Sequence, residues 1–235
     1  MSSSSDCTLS VIVPSYNRSR YLPDAIDSVL AQNVPDVQII VVDDGSTDDT
    51  RETVRRYGSR VEYIYQDNRG TAHARNRGLA LARGRYISFL DSDDVWLPGK
   101  FAAELETFNA VPGADAVISD CELWRERELV CCSWFGDQEL TVEPGRIELL
   151  SNLPPLWIKR KLFATCCVTM KQPVLERMGR QLFDTSLVTH EDWDFSIRLI
   201  AAFEVAVLPR ICARVRRFND GTRVGRPLPG TAYPP

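Results

Sequence analysis

The feature that most constrains this chain is a repeated alternation: short apolar runs, each closed by polar residues, separated by stretches of helical periodicity. Leu9–Pro14 (LSVIVP) is an apolar run ending at a proline, as a buried strand would. Leu22, Ala25, Ile26, Val29 and Leu30 then recur on one face of a helix. Val37–Val42 (VQIIVV) reads as a second buried strand, after which Ser46 or Thr47 can cap a helix running through Arg56. Val61–Gln66 alternates like a strand, Thr71–Arg83 has helical spacing, and Tyr86–Leu90 and Ala116–Ser119 are strands. Strands alternating with helices imply right-handed crossovers, hence an α/β fold with a mostly parallel central sheet flanked by helices.

Past residue 120 the pattern weakens. Cys121–Lys161 carries no firm assignment, Ala164–Met170 is expected as a strand, Glu191–Phe203 as a helix and Val205–Leu208 as a short strand. In such sheets ligands bind beyond the carboxyl ends of the strands. That singles out three polar clusters: Ser15-Tyr16-Asn17, Asp43-Asp44 and Asp91-Ser92-Asp93-Asp94.

Composition narrows the chemistry. A chain of 235 residues with 44% apolar content suits one α/β domain, and a formal charge of -4 gives no general attraction to nucleic acid or anionic lipid. The seven cysteines are odd in number and form no C-x-x-C framework, which suggests reduced thiols in a cytoplasmic protein. His73 and His190 are the only histidines, too few for a His-based transition-metal site. The Met-Ser-Ser-Ser-Ser-Asp start is not expected to be a signal peptide, and no run is long enough for a spanning helix.

Asp91 and Asp93 sit two residues apart at a strand end, where extended backbone would turn both carboxylates the same way. Oxygen-only ligation suits Mn2+ or Mg2+, although a lone D-x-D is also a common charged turn. Asp43 and Asp44 could accept a hydrogen bond from a base or ribose, or simply make an Asp-Gly turn. Tyr16 could stack on a ring, or Ser15-Tyr16-Asn17 could be a plain loop. His190-Glu191-Asp192 opens a helix, where acidic residues either complement the helix dipole or supply a general base.

Together these segments carry a resemblance. Val11–Asn17 (VIVPSYN), Val41–Thr50 (VVDDGSTDDT), Ala74–Gly78 (ARNRG), Gly84–Asp94 (GRYISFLDSDD) and His190–Asp194 (HEDWD) resemble the inverting family-two glycosyltransferases. The resemblance spans roughly residues 9 to 218 and is most specific over the first hundred. It implies the GT-A fold, a Rossmann-like nucleotide-diphospho-sugar transferase architecture. It also implies metal-assisted direct displacement that carries a sugar from a nucleoside-diphosphate donor, expected to be a UDP-sugar, to a hydroxyl acceptor.

By position, the resemblance makes Pro14, Ser15, Tyr16 and Asn17 the first nucleotide-contacting loop, and Asp44 the base-reading carboxylate with Asp43 beside it. Asp91, Ser92 and Asp93 become the D-x-D segment, with Asp93 the better metal ligand and Asp91 its companion. Arg75 and Asn76 are expected to support the donor pocket, Asp192 to be the catalytic base and Glu191 its orienting neighbour.

Two departures stand out. Relatives often carry a histidine near the C-terminus, whereas Arg214–Phe218 has none; Arg216 or Arg217 is expected on phosphate instead, and Arg223 and Arg226 in a solvated tail. The Q-x-x-R-W motif and membrane helices of processive synthases are missing, which favours single addition. The expected organisation is a tail over 1–8, a donor-binding half over 9–120, an acceptor and catalytic half over 121–218, and a tail over 219–235. The acceptor is a glycan, a lipid-linked chain or a small molecule, with peripheral membrane contact compatible and nucleic acid not expected. Trp157 with Lys159, Arg160 and Lys161 is either an acceptor contact or a core tryptophan beside a charged loop. Two alternatives stay open: a nucleotidyltransferase-like pyrophosphorylase, which would show a G-x-G-T-R loop after the first strand, and a non-catalytic sugar-nucleotide-binding protein.

Overall fold

The computed structural model describes residues 7–125, 127–140, 142, 147–152 and 163–218. Most of both expected tails, and Trp157, Lys159, Arg160, Lys161, Arg223 and Arg226, lie outside the described residues. Cys7 and Thr8 do not: the Cys7 carbonyl accepts from Arg85 N at 2.9 Å and Thr8 N donates to the Asp36 carbonyl at 3.3 Å.

The described elements are β1 (Leu9–Ser15), α1 (Leu22–Leu30), β2 (Val37–Asp44), α2 (Thr50–Arg55), β3 (Val61–Gln66), α3 (Thr71–Leu81), β4 (Tyr86–Phe89) and β5 (Val95–Trp96). They continue with α4 (Lys100–Ala110), β6 (Ala116–Arg125), β7 (Glu128–Cys131), α5 (Trp134–Asp137), β8 (Glu148–Leu149), β9 (Val168–Lys171), α6 (Gln172–Met178), α7 (Glu191–Ala202) and β10 (Val205–Arg217).

These strands join one sheet in the order β3-β2-β1-β4-β9-β6-β10-β5, with β7 on β6 and β8 on β10. The first four strands pair parallel. β1 is buried along its whole length and β2 along all but its first residue, as the unbroken apolar runs demand of strands covered on both faces. β9 then runs antiparallel between β4 and β6, and β5 antiparallel to β10, so the sheet as a whole is mixed. Chain order reverses between β1 and β4. That is the switch point at which a crevice opens in folds of this kind.

Several boundaries differ from the sequence reading, each for a local reason. α2 starts at Thr50, and its first turn is held by Asp48, whose carboxylate accepts from Thr50 N and Oγ1 at 3.1 and 2.6 Å. Ser46 and Thr47 lie ahead of that start, and their hydroxyls bond instead to Asn17. α4 carries no sequence assignment above, yet it buries Phe101, Ala103 and Phe108. β6 and β10 run on past Ser119 and Leu208, pairing with each other as far as Arg125 and Arg217. β10 absorbs Pro209 at a register shift, which a proline needs inside a sheet. The segment before β9 is a short 3-10 turn, Thr165–Cys167, rather than strand. All seven cysteines are free thiols. Among the described residues, no helix is long and apolar enough to cross a membrane.

An aromatic cluster sets where α7 lies. Phe89 at the end of β4, Phe183 ahead of α7 and Phe195 within it pack with ring centroids 4.9 to 5.9 Å apart. All three are buried to within 1%. Burial of this much aromatic surface brings the N-terminal end of α7 to the carboxyl edge of β4.

Candidate active site

The three polar clusters converge at the switch point. After β1, Tyr16 keeps one of the few exposed large apolar surfaces, at 39% exposure, while Pro14 and Ser15 are buried. Asn17 adopts a left-handed conformation (φ 51°) and laces this loop to the next one. Its N–H donates to Ser46 Oγ at 2.9 Å, and its side-chain oxygen accepts from Thr47 N at 2.8 Å. The Ser15 hydroxyl is buried with no partner among the described residues.

Asp43 and Asp44 end β2, and both carboxylates are already engaged. Asp43 accepts from Ser46 N at 2.8 Å and from the Tyr63 hydroxyl at 2.6 Å. Burial and the neighbouring Asp43 push the Tyr63 phenol above its ordinary range, so it remains a donor. Asp44 accepts from Gln66 Nε2 at 2.7 Å, Arg69 N at 2.9 Å and Gly70 N at 2.8 Å. Its carboxylate therefore shapes the turn that leads into α3. Tyr63, Gln66 and the Arg69–Gly70 backbone did not stand out in the sequence, because their role depends on β3 lying beside β2.

Asp91–Asp94 form a turn beyond β4, closed by Asp94 N donating to the Asp91 carbonyl at 3.0 Å. This corrects the extended geometry expected for the D-x-D pair: β4 stops at Phe89, and the chain turns at Ser92 and Asp93. Asp91 and Asp93 stay partly open, with side chains 36% and 24% exposed, whereas Ser92 and Asp94 turn inward and are buried. Arg18 Nε reaches Asp93 Oδ2 at 3.2 Å. Burial and the charge of Asp91 raise the Asp93 carboxyl, while Arg18 and Arg217 act in the opposite sense. Asp94 is raised much further by burial and by its two acidic neighbours, and it accepts from Arg216 N at 2.8 Å.

Arg75 connects this turn to the distant acidic helix end. Its guanidinium, only 4% exposed, donates to Asp91 Oδ1 at 2.7 Å and to Glu191 Oε1 at 3.0 Å. It lies over the Phe183 ring, 5.1 Å from the centroid. Burial alone would lower its pKa, but Asp91, Glu191 and Asp192 outweigh burial and hold it charged. Asn76 pins the same region, exchanging hydrogen bonds of 2.7 and 3.0 Å with the backbone of Phe183. Glu191 lies 116 residues beyond Arg75 in the chain, and Asp192 is close enough for its charge to act on the same guanidinium. Through Arg75 the acidic start of α7 thus stands beside the D-x-D turn.

The two C-terminal arginines expected on phosphate part company. Arg216 is committed within the protein: it pairs with Asp24 at 2.7 Å and donates through Nε to the Asp93 carbonyl. Arg217 is the one whose charge acts on Asp93 and Asp94. Arg18 was not singled out by the sequence reading, although it directly follows the Ser15-Tyr16-Asn17 cluster.

Asp91 and Asp93 fit a hard divalent cation by the chemistry of their donors: two partly open carboxylates on one turn. Among the described residues, no group of three or more acidic, histidine or cysteine side chains is placed to hold a metal ion. A cation held here would take its remaining ligands from phosphate and water, as magnesium-type sites commonly do.

Residues 10–148 match the family model described as glycosyl transferase family 2. The chain belongs to that family. An uncharacterized glycosyltransferase of Rickettsia prowazekii (strain Madrid E) is 33% identical over 189 residues, covering 79% of this chain and 56% of the relative. Glycosyltransferase GlyG of Streptococcus pneumoniae serotype 4 is 41% identical over 91 residues, covering 37% of this chain and 30% of the relative. The chain thus spans little more than half, or less, of these curated relatives. Among solved structures, S. aureus TarS in complex with UDP-GlcNAc superposes with a TM-score of 0.72 at 20% identity, covering 92% of this chain and 60% of TarS. A mannosyltransferase from Pyrobaculum calidifontis in complex with GDP-Man and Mn2+ gives a TM-score of 0.62 at 22% identity, covering 89% and 57%. These likenesses establish the GT-A fold, and the family-model match places the chain in glycosyl transferase family 2.

Proposed function

We propose that this family-2 domain transfers a sugar from a UDP-linked donor to a hydroxyl acceptor by direct displacement, inverting the anomeric centre. The observation that carries the reading is the Arg75 bridge, which holds the D-x-D turn and the Glu191-Asp192 helix end against one another. A displacement of this kind needs the leaving diphosphate and the general base on opposite sides of one sugar, and these two acidic groups are the parts required.

The exposed Tyr16 ring offers a face for the base, beside the loops that Asp43 and Asp44 shape. Asp91 and Asp93 would hold Mn2+ or Mg2+, and a bound cation supplies charge neutralisation at the leaving diphosphate. Asp192 accepts the proton of the acceptor hydroxyl as that oxygen bonds to the anomeric carbon, while the bond to the diphosphate breaks and nucleoside diphosphate leaves. Glu191, bound to Arg75, orients the helix end that presents Asp192. The UDP-GlcNAc bound to TarS supports a uridine donor, and the Mn2+ in the mannosyltransferase supports the cation. The acceptor is a glycan, a lipid-linked chain or a small hydroxyl compound.

The test pairs binding with turnover. UDP titrations of wild type and Asp93→Ala, each with and without Mn2+, should show cation-dependent binding only in wild type. Asp192→Asn should retain UDP affinity and lose ~10²–10⁴-fold in turnover, the usual contribution of a general base. Equal UDP affinities in all four titrations, near-normal turnover in Asp192→Asn, or a product of retained configuration would refute the proposal.

A further inference from the structure

Three carboxylates lie within four residues at Asp91, Asp93 and Asp94, and the protein balances them unequally. Arg75 holds Asp91 at 2.7 Å from a nearly buried position, and its second bond to Glu191 locks the guanidinium in place. Arg18 holds Asp93 differently. Its Nε reaches Oδ2 at 3.2 Å, the two side chains are 14% and 24% exposed, and Nη1 also donates to the Asn17 carbonyl at 3.3 Å. The backbone beneath Arg18 is fixed: its carbonyl accepts from Tyr21 N and Leu22 N at 2.9 Å, opening the turn into α1. The Asn17 bonds to Ser46 and Thr47 anchor the preceding residue. A long, flexible cationic side chain on a rigid base therefore rests on the better metal-ligand carboxylate through a long contact.

We propose that Arg18 is an exchangeable counter-ion. It covers Asp93 in the cation-free protein, gives that carboxylate up when a divalent cation binds, and then turns its guanidinium to the donor's diphosphate. The physical reason is charge balance. Once Asp93 is shared with a dication, Arg18 is repelled from it, and the incoming diphosphate is the strongest anionic partner at that edge. Guanidinium geometry suits phosphate oxygens, which makes Arg18 a donor-side cation in the loaded site.

This inference rests on the metal-assisted reading, and the experiment separates the two. Mn2+ binding without nucleotide is measured on the full chain by electron paramagnetic resonance of free Mn2+, followed by UDP titration at saturating Mn2+. Wild type and Asp93→Ala come first, with UDP present: if Mn2+ promotes UDP binding equally in both, the metal reading itself fails. With Asp93 established, Arg18→Gln should tighten Mn2+ binding about five- to tenfold, the scale of one part-buried charge contact, and weaken UDP by a similar factor. A residue that only positioned Asp93 would show the opposite sign for Mn2+ on removal. Unchanged or weaker Mn2+ binding, or unchanged UDP binding, overturns the exchange. Arg18→Lys, compared by melting temperature to confirm folding, should stay nearer wild type in both titrations. If Arg18→Lys matches Arg18→Gln, charge is not the agent and the inference is overturned.

Discussion

Replacing Arg75 with methionine removes the group that touches both acidic motifs, and its cost follows from the geometry. Two charge-assisted hydrogen bonds, at 2.7 and 3.0 Å, are lost. Bonds of that kind contribute about 1.5–3 kcal/mol each. Two effects reduce the total. Asp91 is 36% exposed and regains water, and methionine avoids the desolvation of a buried guanidinium whose Nε has no acceptor among the described residues. The remainder is about 2–4 kcal/mol, mostly the repulsion of Asp91 and Glu191 left without a shared cation. For a domain of this size that lowers the melting temperature by roughly 5–15 °C. Thermal and urea denaturation measure it directly. Arg75→Lys should fall between, since an ammonium cannot span both carboxylates at these distances. Arg75→Met combined with Glu191→Gln should recover part of the loss, because the repulsion is gone. A loss under ~0.5 kcal/mol in Arg75→Met, the range of ordinary surface changes, would refute the bridge as a structural link.

Asp44→Asn should destabilise nearly as much as Asp44→Ala, by about 2–3 kcal/mol in urea unfolding, because an amide turns a donor toward Gly70 N or toward Gln66 and Arg69. Lys100→Met should cost about 3–5 kcal/mol by stranding fully buried Glu104, while Lys100→Met with Glu104→Leu should recover much of it; equal melting temperatures for the single and double variants would contradict this. Gly84→Ala should fail to express as folded protein, or melt far below wild type, since a Cβ there would sit 2.4 Å from the Ser10 backbone nitrogen.

Much of the donor half was legible because its signals are local. Unbroken apolar runs become strands covered on both faces, and the residues after them must lie at one sheet edge once the crossovers are right-handed. The clusters at Ser15–Asn17, Asp43-Asp44 and Asp91–Asp94 therefore carried their own location. The sequence was less informative about β6 and β10, since charged residues interrupt the apolar ones in their outer halves, and the extent of each strand follows from its pairing with the other. α4 and the mixed direction of β9 likewise depend on partners far away in the chain. What only the tertiary structure decided is which charges meet. No local pattern could predict that Arg75 would bridge Asp91 and Glu191, that the Arg18 side chain would reach the Asp93 carboxylate, or that Tyr63 would claim Asp43. Apolar periodicity repeats within a few residues and so is written in the chain. Ion pairs and hydrogen bonds act over a few ångströms between residues of any separation, so the Arg75–Glu191 pair exists only once the aromatic cluster of Phe89, Phe183 and Phe195 has brought α7 to the sheet edge.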